Sequence, residues 1–167
     1  MQKKMDLSKF QVCDLIQFAM KSEIESRKLY EELKKKTKNA FLRDRLSFLI
    51  TEENKHKKVL DKLFKYLFPK KKIVIPKKNI VPLPPVKVSE GKRISAILGE
   101  AMKAEAAARN FYSAMADLFK KEKQIQKSLK FLSKMEDGHY KLLEIERDNA
   151  RYFEDYEEGW ELMHVGP

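Results

Sequence analysis

The motif Glu-x-x-His occurs twice in the chain, and each copy interrupts a series of apolar residues at helical spacing. The copies are Glu53 with His56 and Glu136 with His139. Steps of three and four between apolar residues predict an amphipathic helix whose apolar seam faces a core. The motif residues lie on these seams, which also contain Leu42, Leu46, Leu49, Leu60, Leu63 and Leu67 in one helix and Ile125, Leu129, Leu132 and Leu143 in the other.

A charged carboxylate at a core position needs a compensating charge, because burying it alone is very costly. Glu-x-x-His places an oxygen and a nitrogen about one helical turn apart on the same face. Both atoms then point into the same bundle interior, where a metal ion can bind. The pattern therefore favours a metal ion as the compensating charge.

Another sequence pattern also occurs twice, once before each Glu-x-x-His motif. In it a glutamate is followed by arginine four positions later and by tyrosine seven positions later, as in Glu23 to Tyr30 and Glu105 to Tyr112. Glu105 follows Glu23 by 82 positions and Glu136 follows Glu53 by 83, which indicates a tandem duplication.

If each half folds as a hairpin with its turn near residues 37–39 or 120–123, six side chains meet at one level. They are Glu23, Glu53, His56, Glu105, Glu136 and His139. Their four carboxylates would balance the charge of two divalent ions.

Residues 69–90 separate the two halves and contain five of the six prolines. An extended segment of this length can return along a helix of about 28 residues, so the second and third helices would run parallel. The sequence thus predicts an all-α fold, a four-helix bundle of two helical hairpins joined by a long Pro-rich crossover. Short strands at 73–75 and 80–81 are the alternative for this segment.

We expect a single domain over residues 1–167, with the crossover at 69–90 and a C-terminal tail at 153–167. The first helix should begin near Ser8 and the second should end at Phe68. The third should begin at Ser89 as its N-cap, and the fourth should run from about Glu122 to about Tyr152.

The six candidate ligands match the set known for ferritin-like di-metal bundles. Within that superfamily, the duplicated Glu-x-x-x-Arg-x-x-Tyr before Glu-x-x-His resembles the di-iron domain of the rubrerythrins over residues 8 to 150. The resemblance implies that Glu53 and Glu136 bridge two metal ions. It also implies that Glu23 and His56 bind one ion and that Glu105 and His139 bind the other. Tyr30 and Tyr112 would be the catalytic tyrosines, donating hydrogen bonds to ligand carboxylates across the bundle.

Two features depart from that family. Rubrerythrins usually carry a further carboxylate three residues after the glutamate of the third helix, where this chain has Ala108; Ser26 is the equivalent residue of the first repeat. Most also carry a rubredoxin domain with four cysteines, and this chain has only Cys13. The resemblance therefore implies that electrons come from a separate carrier.

Carboxylate oxygens with one imidazole per ion suit iron or manganese, and zinc also accepts these ligands. The resemblance favours a di-iron oxidoreductase with two iron ions that reduces hydrogen peroxide or activates dioxygen. One alternative is a ferroxidase with iron storage, which would need a hollow multi-subunit shell. Another is a basic interaction protein whose metal only stabilises the bundle.

The net charge of +11 is uneven, with +12 in residues 1 to 90 and −1 in the remainder. This charge favours an acidic, rubredoxin-like protein as the electron carrier. Lysine and glutamate interleave along the helices, which makes nucleic-acid binding an unfavoured interpretation.

We expect no membrane segment, because no apolar run reaches the about 18 residues that a membrane span requires. We also expect the protein to be a cytoplasmic homodimer.

Overall fold

The computed structural model describes residues 5–78, 86, 88–89 and 91–164, with side chains to residue 157. Four helices account for most of this part of the chain: α1 (Val12–Lys36), α2 (Ala40–Leu67), α3 (Ile94–Leu118) and α4 (Lys123–His164). They pack as two helical hairpins, α1 with α2 and α3 with α4. The all-α, ferritin-like four-helix bundle expected from the sequence is confirmed.

Contacts between the hairpins establish the direction of the helices. Tyr30 of α1 contacts Glu105 of α3, and Tyr112 of α3 contacts Glu23 of α1. A later residue of each helix therefore lies beside an earlier residue of the other, so α1 and α3 are antiparallel. Since each hairpin is also antiparallel, α2 and α3 run in the same direction, as a long crossover requires.

The described part of the crossover lies along α1. The Gln17 side-chain amide pairs with the backbone of Val74, donating to its carbonyl oxygen at 3.2 Å and accepting from its N–H at 3.1 Å, in the orientation that satisfies both amide atoms. Lys21 donates to the Lys77 carbonyl oxygen at 2.8 Å. Near the other end of α1, Lys36 donates to the Ser89 carbonyl oxygen. The alternative strand at 73–75 is absent, and the one at 80–81 lies outside the described residues.

Two apolar clusters fill the bundle, one on each side of its middle. One contains residues from the start of α1 and the end of α2, including Ile16, Leu60 and Phe64. The other contains residues from the opposite ends of the same helices, including Leu33, Leu42 and Leu46. Burial of each such side chain contributes about 1.5–3 kcal/mol relative to exposure. The level between the clusters is where the sequence places glutamate and histidine on the seams.

Three of the predicted helix boundaries are wrong. The first helix begins at Val12, because Asp6 accepts hydrogen bonds from the backbone and hydroxyl of Ser8 in a separate turn. The third helix begins at Ile94, because Gly91 takes a left-handed conformation with φ of 76° that breaks the chain direction after Ser89. The fourth helix continues to His164, so residues 153–164 of the predicted tail are helical.

The acidic end of α4 contacts the start of α3. Glu154 accepts a hydrogen bond from the backbone N–H of Ser95 at 3.1 Å and another from the Ser95 hydroxyl. Asp155 pairs with Arg93 at 3.2 Å. The contacts bring a carboxylate of α4 to the positive end of the α3 dipole, which extends α4 beyond its last core residues.

None of the helices in the described part of the chain is both long and apolar enough to cross a membrane.

Candidate metal centre

The six predicted ligands all lie in the middle of the bundle, between the two apolar clusters. Each is at most 2% exposed. Glu23 comes from α1 and Glu105 from α3, whereas α2 and α4 each contribute a glutamate and a histidine one turn apart. The seam spacing that otherwise places leucines in the core therefore turns these polar side chains inward.

Two motifs from different hairpins meet across the bundle. Glu53, His56, Glu136 and His139 each offer one ligand atom, and these atoms all lie within 4.8 Å of one another. His56 Nδ1 is 3.0 Å from Glu136 Oε1, and His139 Nδ1 is 3.1 Å from Glu53 Oε1. The two imidazole rings are stacked, with centroids 5.1 Å apart and planes inclined by 14°. These four side chains form the central group of the site.

The two remaining glutamates lie on either side of this group. Glu23 Oε2 is 3.2 Å from His56 Nδ1, and Glu105 Oε2 is 3.7 Å from His139 Nδ1. Each histidine therefore lies near both glutamates of its own hairpin and near one glutamate of the other hairpin. This arrangement contains two equivalent halves, as the sequence repeat predicts.

The two tyrosines link the halves. Tyr30 of the first repeat donates a hydrogen bond to Glu105 of the second, and Tyr112 of the second donates to Glu23 of the first. Burial and the charge of Glu105 raise the pKa of Tyr30 well above its ordinary value. Burial and the charge of Glu23 do the same to the pKa of Tyr112. Both hydroxyls therefore keep their protons at neutral pH and act as donors.

The electrostatics of the group without a metal follow from burial and from the crowding of carboxylates. Burial and the charge of Glu23 raise the pKa of Glu136 to about 8 and that of Glu53 well above its ordinary value. Burial alone would lower the pKa of His56 and of His139. The carboxylates close to each ring outweigh it and raise both pKa values to about 10. Protons therefore supply positive charge to this group when no metal is bound.

The donor set fits two metal ions. Seven buried side-chain polar atoms lack a hydrogen-bond partner within the described residues, and six of them belong to this group: Glu53 Oε1, both carboxylate oxygens of Glu136, His56 Nε2, and both ring nitrogens of His139. Buried polar atoms without partners are costly and therefore mark a missing partner. Carboxylate oxygens and imidazole nitrogens are ligands for iron, manganese or zinc, so a metal cation is a suitable partner for these atoms.

Two pairs of side chains that the sequence analysis did not assign hold each hairpin beside the site. Arg27 donates to Asn54 at 3.3 Å, and Arg109 donates to Asp137 at 2.7 Å. Asn54 and Asp137 directly follow Glu53 and Glu136, so each arginine connects its helix to the motif helix of the same hairpin. The occurrence of both residues at equivalent repeat positions was the sequence signal for this pairing.

Comparison with known proteins agrees with this geometry. The family model for rubrerythrin matches residues 14–147, and the chain therefore belongs to the rubrerythrin family. The structure is similar to a solved structure of a hypothetical protein from Pyrococcus furiosus, with 34% sequence identity and a TM-score of 0.78. That similarity covers 89% of this chain and 95% of the other. The comparison with curated proteins gives no match.

Proposed function

We propose that this protein is a di-iron oxidoreductase that reduces hydrogen peroxide with electrons from a separate protein carrier. The observation that carries the proposal is the group of four buried glutamates and two buried histidines, which is built in two equivalent halves and leaves ligand atoms without partners. A site that only stabilised the bundle would need no such duplication, since one ion already offsets much of the buried charge.

The geometry supports a specific distribution of ligands. Glu53 and Glu136 come from the two motif helices at the centre of the group, and each lies close to His139, at 3.1 and 3.2 Å. They are suited to hold both ions. Glu23 with His56 would hold one ion and Glu105 with His139 the other, because each pair lies on one side of the centre.

Two ferrous ions held together supply two electrons at once, which is the number that reduces peroxide to water. The chain's own residues orient the ligands and limit water. Tyr30 and Tyr112 hold the Glu105 and Glu23 carboxylates in place by donating hydrogen bonds to them. Leucines of both apolar clusters cover the site from the two ends of the bundle, for example Leu49 and Leu60 on α2. The result is a buried site in which charge interactions are strong.

The test of this proposal is anaerobic reconstitution with ferrous iron, followed by stopped-flow mixing with hydrogen peroxide or with dioxygen. We expect two irons per chain and oxidation by peroxide that is faster than by dioxygen, with two electrons leaving each pair of irons. A ratio near one iron per chain would contradict the di-metal site. Oxidation by peroxide no faster than by dioxygen would favour ferroxidase or oxygenase chemistry instead.

The electron donor that we propose is an acidic, rubredoxin-like protein. Residues 1 to 90 carry a net charge of +12, which would attract an acidic carrier and raise its association rate. Screening by salt should therefore slow re-reduction by such a carrier. The measurement is the re-reduction rate at low and high ionic strength, with a small uncharged reductant as control. A carrier rate that does not change with salt would contradict steering by charge while leaving the metal site unaffected.

A further inference from the structure

Solvent reaches the interior seams of the bundle unevenly. The seam residues of α2 from Leu42 to Leu63 and of α4 from Ile125 to Leu143 are all buried. On α1 and α3, away from the first residue of each helix, the seam is also buried except at Ser26 and Ala108, which are partly exposed. The buried seam residues of these two helices are Ile16, Ala19, Glu23, Tyr30 and Leu33 on α1 and Leu98, Ala101, Glu105, Tyr112 and Met115 on α3.

Ser26 and Ala108 lie opposite each other. The hydrogen bonds from Tyr30 to Glu105 and from Tyr112 to Glu23 set the antiparallel register of α1 and α3. In that register the residue midway between Glu23 and Tyr30 lies level with the residue midway between Glu105 and Tyr112. These residues are Ser26 and Ala108, and each is one helical turn from a predicted ligand.

The size of these side chains explains why solvent reaches this level. Serine and alanine extend little beyond Cβ, whereas the neighbouring seam positions carry tyrosine and glutamate. Two small residues at this level cover the site less than the tyrosines and glutamates of the neighbouring seam positions, and this thinly covered level is the gap between α1 and α3. The level beneath this gap contains the buried carboxylate oxygens of Glu53 and Glu136 that lack hydrogen-bond partners.

We propose that the gap between α1 and α3 at Ser26 and Ala108 is the entrance to the metal centre for divalent metal ions and for oxidants as small as hydrogen peroxide. The inference rests on the proposed di-metal function and adds the route by which ions and oxidant reach it. At the same level the seams of α2 and α4 consist of buried side chains, and the groove between these two helices, lined by Val59 and Ile125, lies nearer one end of the bundle.

The test fills the gap and measures metal uptake. Metal-free protein is mixed with cobalt(II), and uptake is followed by the visible absorption of the bound ion. Ala108→Leu and Ser26→Leu should each slow uptake by about tenfold or more, because entry would then require α1 and α3 to separate locally. The final cobalt content should stay unchanged, since neither residue is a predicted ligand. Ala108→Val should give an intermediate rate.

Ser113→Leu is the matched control, because Ser113 lies on the same helix as Ala108 and is exposed. It should load at the wild-type rate. Circular dichroism verifies that each variant is helical, and Ala108→Val provides a milder substitution if a leucine disturbs packing. Uptake at the wild-type rate in a folded Ala108→Val or leucine variant would overturn the proposed entrance.

A second readout separates this inference from the proposed function. Slow cobalt uptake in the leucine variants supports the entrance whether or not peroxide oxidises the iron-loaded protein. If peroxide oxidises the wild-type protein rapidly, and the leucine variants react with peroxide and take up cobalt equally fast, the proposed entrance is wrong and the proposed function is supported. If peroxide does not react with the wild-type protein but the leucine variants take up cobalt slowly, the proposed reaction with peroxide is wrong and the proposed entrance is supported.

Discussion

Glu52 and Glu53 are adjacent glutamates of α2, both buried, with different surroundings. Glu52 is 7% exposed and forms an ion pair with Lys55 at 2.6 Å. Glu53 faces the bundle interior, where His139 Nδ1 lies 3.1 Å away, and its Oε1 lacks a hydrogen bond. Burial alone therefore does not mark a candidate ligand. The position on the seam does, because it decides which carboxylate meets the other helices.

This difference gives a matched comparison for the bridging role. We predict that Glu53→Gln lowers metal affinity by roughly tenfold or more. Mutation of a residue that only orients a metal ligand already lowers affinity by about this factor, and loss of a bridging ligand should lower it at least as much. Glu136→Gln should do the same, since its equivalent position is also suited to hold both ions. The measurement is metal content after equilibration at a series of free-metal concentrations.

Glu52→Gln is the control and should leave metal content unchanged. Equal metal content in all three variants would exclude Glu53 and Glu136 as bridging ligands. Unfolding stability is a poor substitute for this measurement, because replacing a buried charge by a neutral group can stabilise the protein even as metal binding is lost.

At the residue scale the sequence was sufficient to place Glu23, Glu105 and the two Glu-x-x-His motifs at one level, because seam spacing and the repeat determine which residues meet. It did not predict the contact of Arg109 with Asp137. The spacing instead favoured a pairing with the glutamate four positions earlier on the same helix. Choosing between these partners requires the position of the neighbouring helix, which sequence periodicity alone does not give.

At the scale of helices, the start of α3 shows how a distant segment determines a boundary. Sequence favours Ser89 as the N-cap, since serine accepts from the first backbone N–H groups of a helix. The structure instead begins α3 at Ile94, with Arg93 at the cap and no side-chain cap of its own. Glu154 of α4 accepts from the Ser95 N–H in its place. A cap supplied from another helix leaves no local signal in the sequence.

We therefore predict that Glu154→Gln lowers the free energy of unfolding by about 0.3–1 kcal/mol, the usual size of a charge at a helix N-terminus, because the amide removes the charge and keeps only one accepting oxygen. Urea unfolding of the metal-free protein measures this directly. Glu157→Gln, an exposed position on the same helix, is the control and should have little effect. If the two variants unfold at the same urea concentration, the α4 contact with Ser95 contributes no measurable stability.

At the scale of the whole molecule, the repeat gives the bundle an approximate two-fold symmetry that relates α2 to α4. The sequence predicted this topology, because a duplicated hairpin and a long extended connection permit few arrangements. The site lies near the symmetry axis, so each half contributes equivalent ligands. This explains why the candidate ligands of the two repeats meet in one group and not in two separate groups.

The same symmetry bears on the expected homodimer. Asn54 and Asp137 lie on the sides of α2 and α4 that contact α1 and α3. Exposed apolar residues occur on the other sides of these helices, including Phe48 at 50% and Phe131 at 55% exposure. A groove between α2 and α4 is also lined by apolar side chains, among them Val59 and Ile125. An exposed apolar surface of this kind is typical of a protein interface.

A surface with its own approximate two-fold symmetry suits a second copy of itself, because every contact across a two-fold axis is made twice. We predict that the chain dimerises through the α2–α4 surface and that Phe48→Lys or Phe131→Lys converts the dimer to a monomer in sedimentation. Each substitution places a charge twice in the interface, which amplifies its effect. Leu118→Lys, at an exposed position on α3, should leave the dimer intact. A dimer that survives both phenylalanine substitutions would have to use another surface, whereas a monomeric wild-type protein would contradict the homodimer itself.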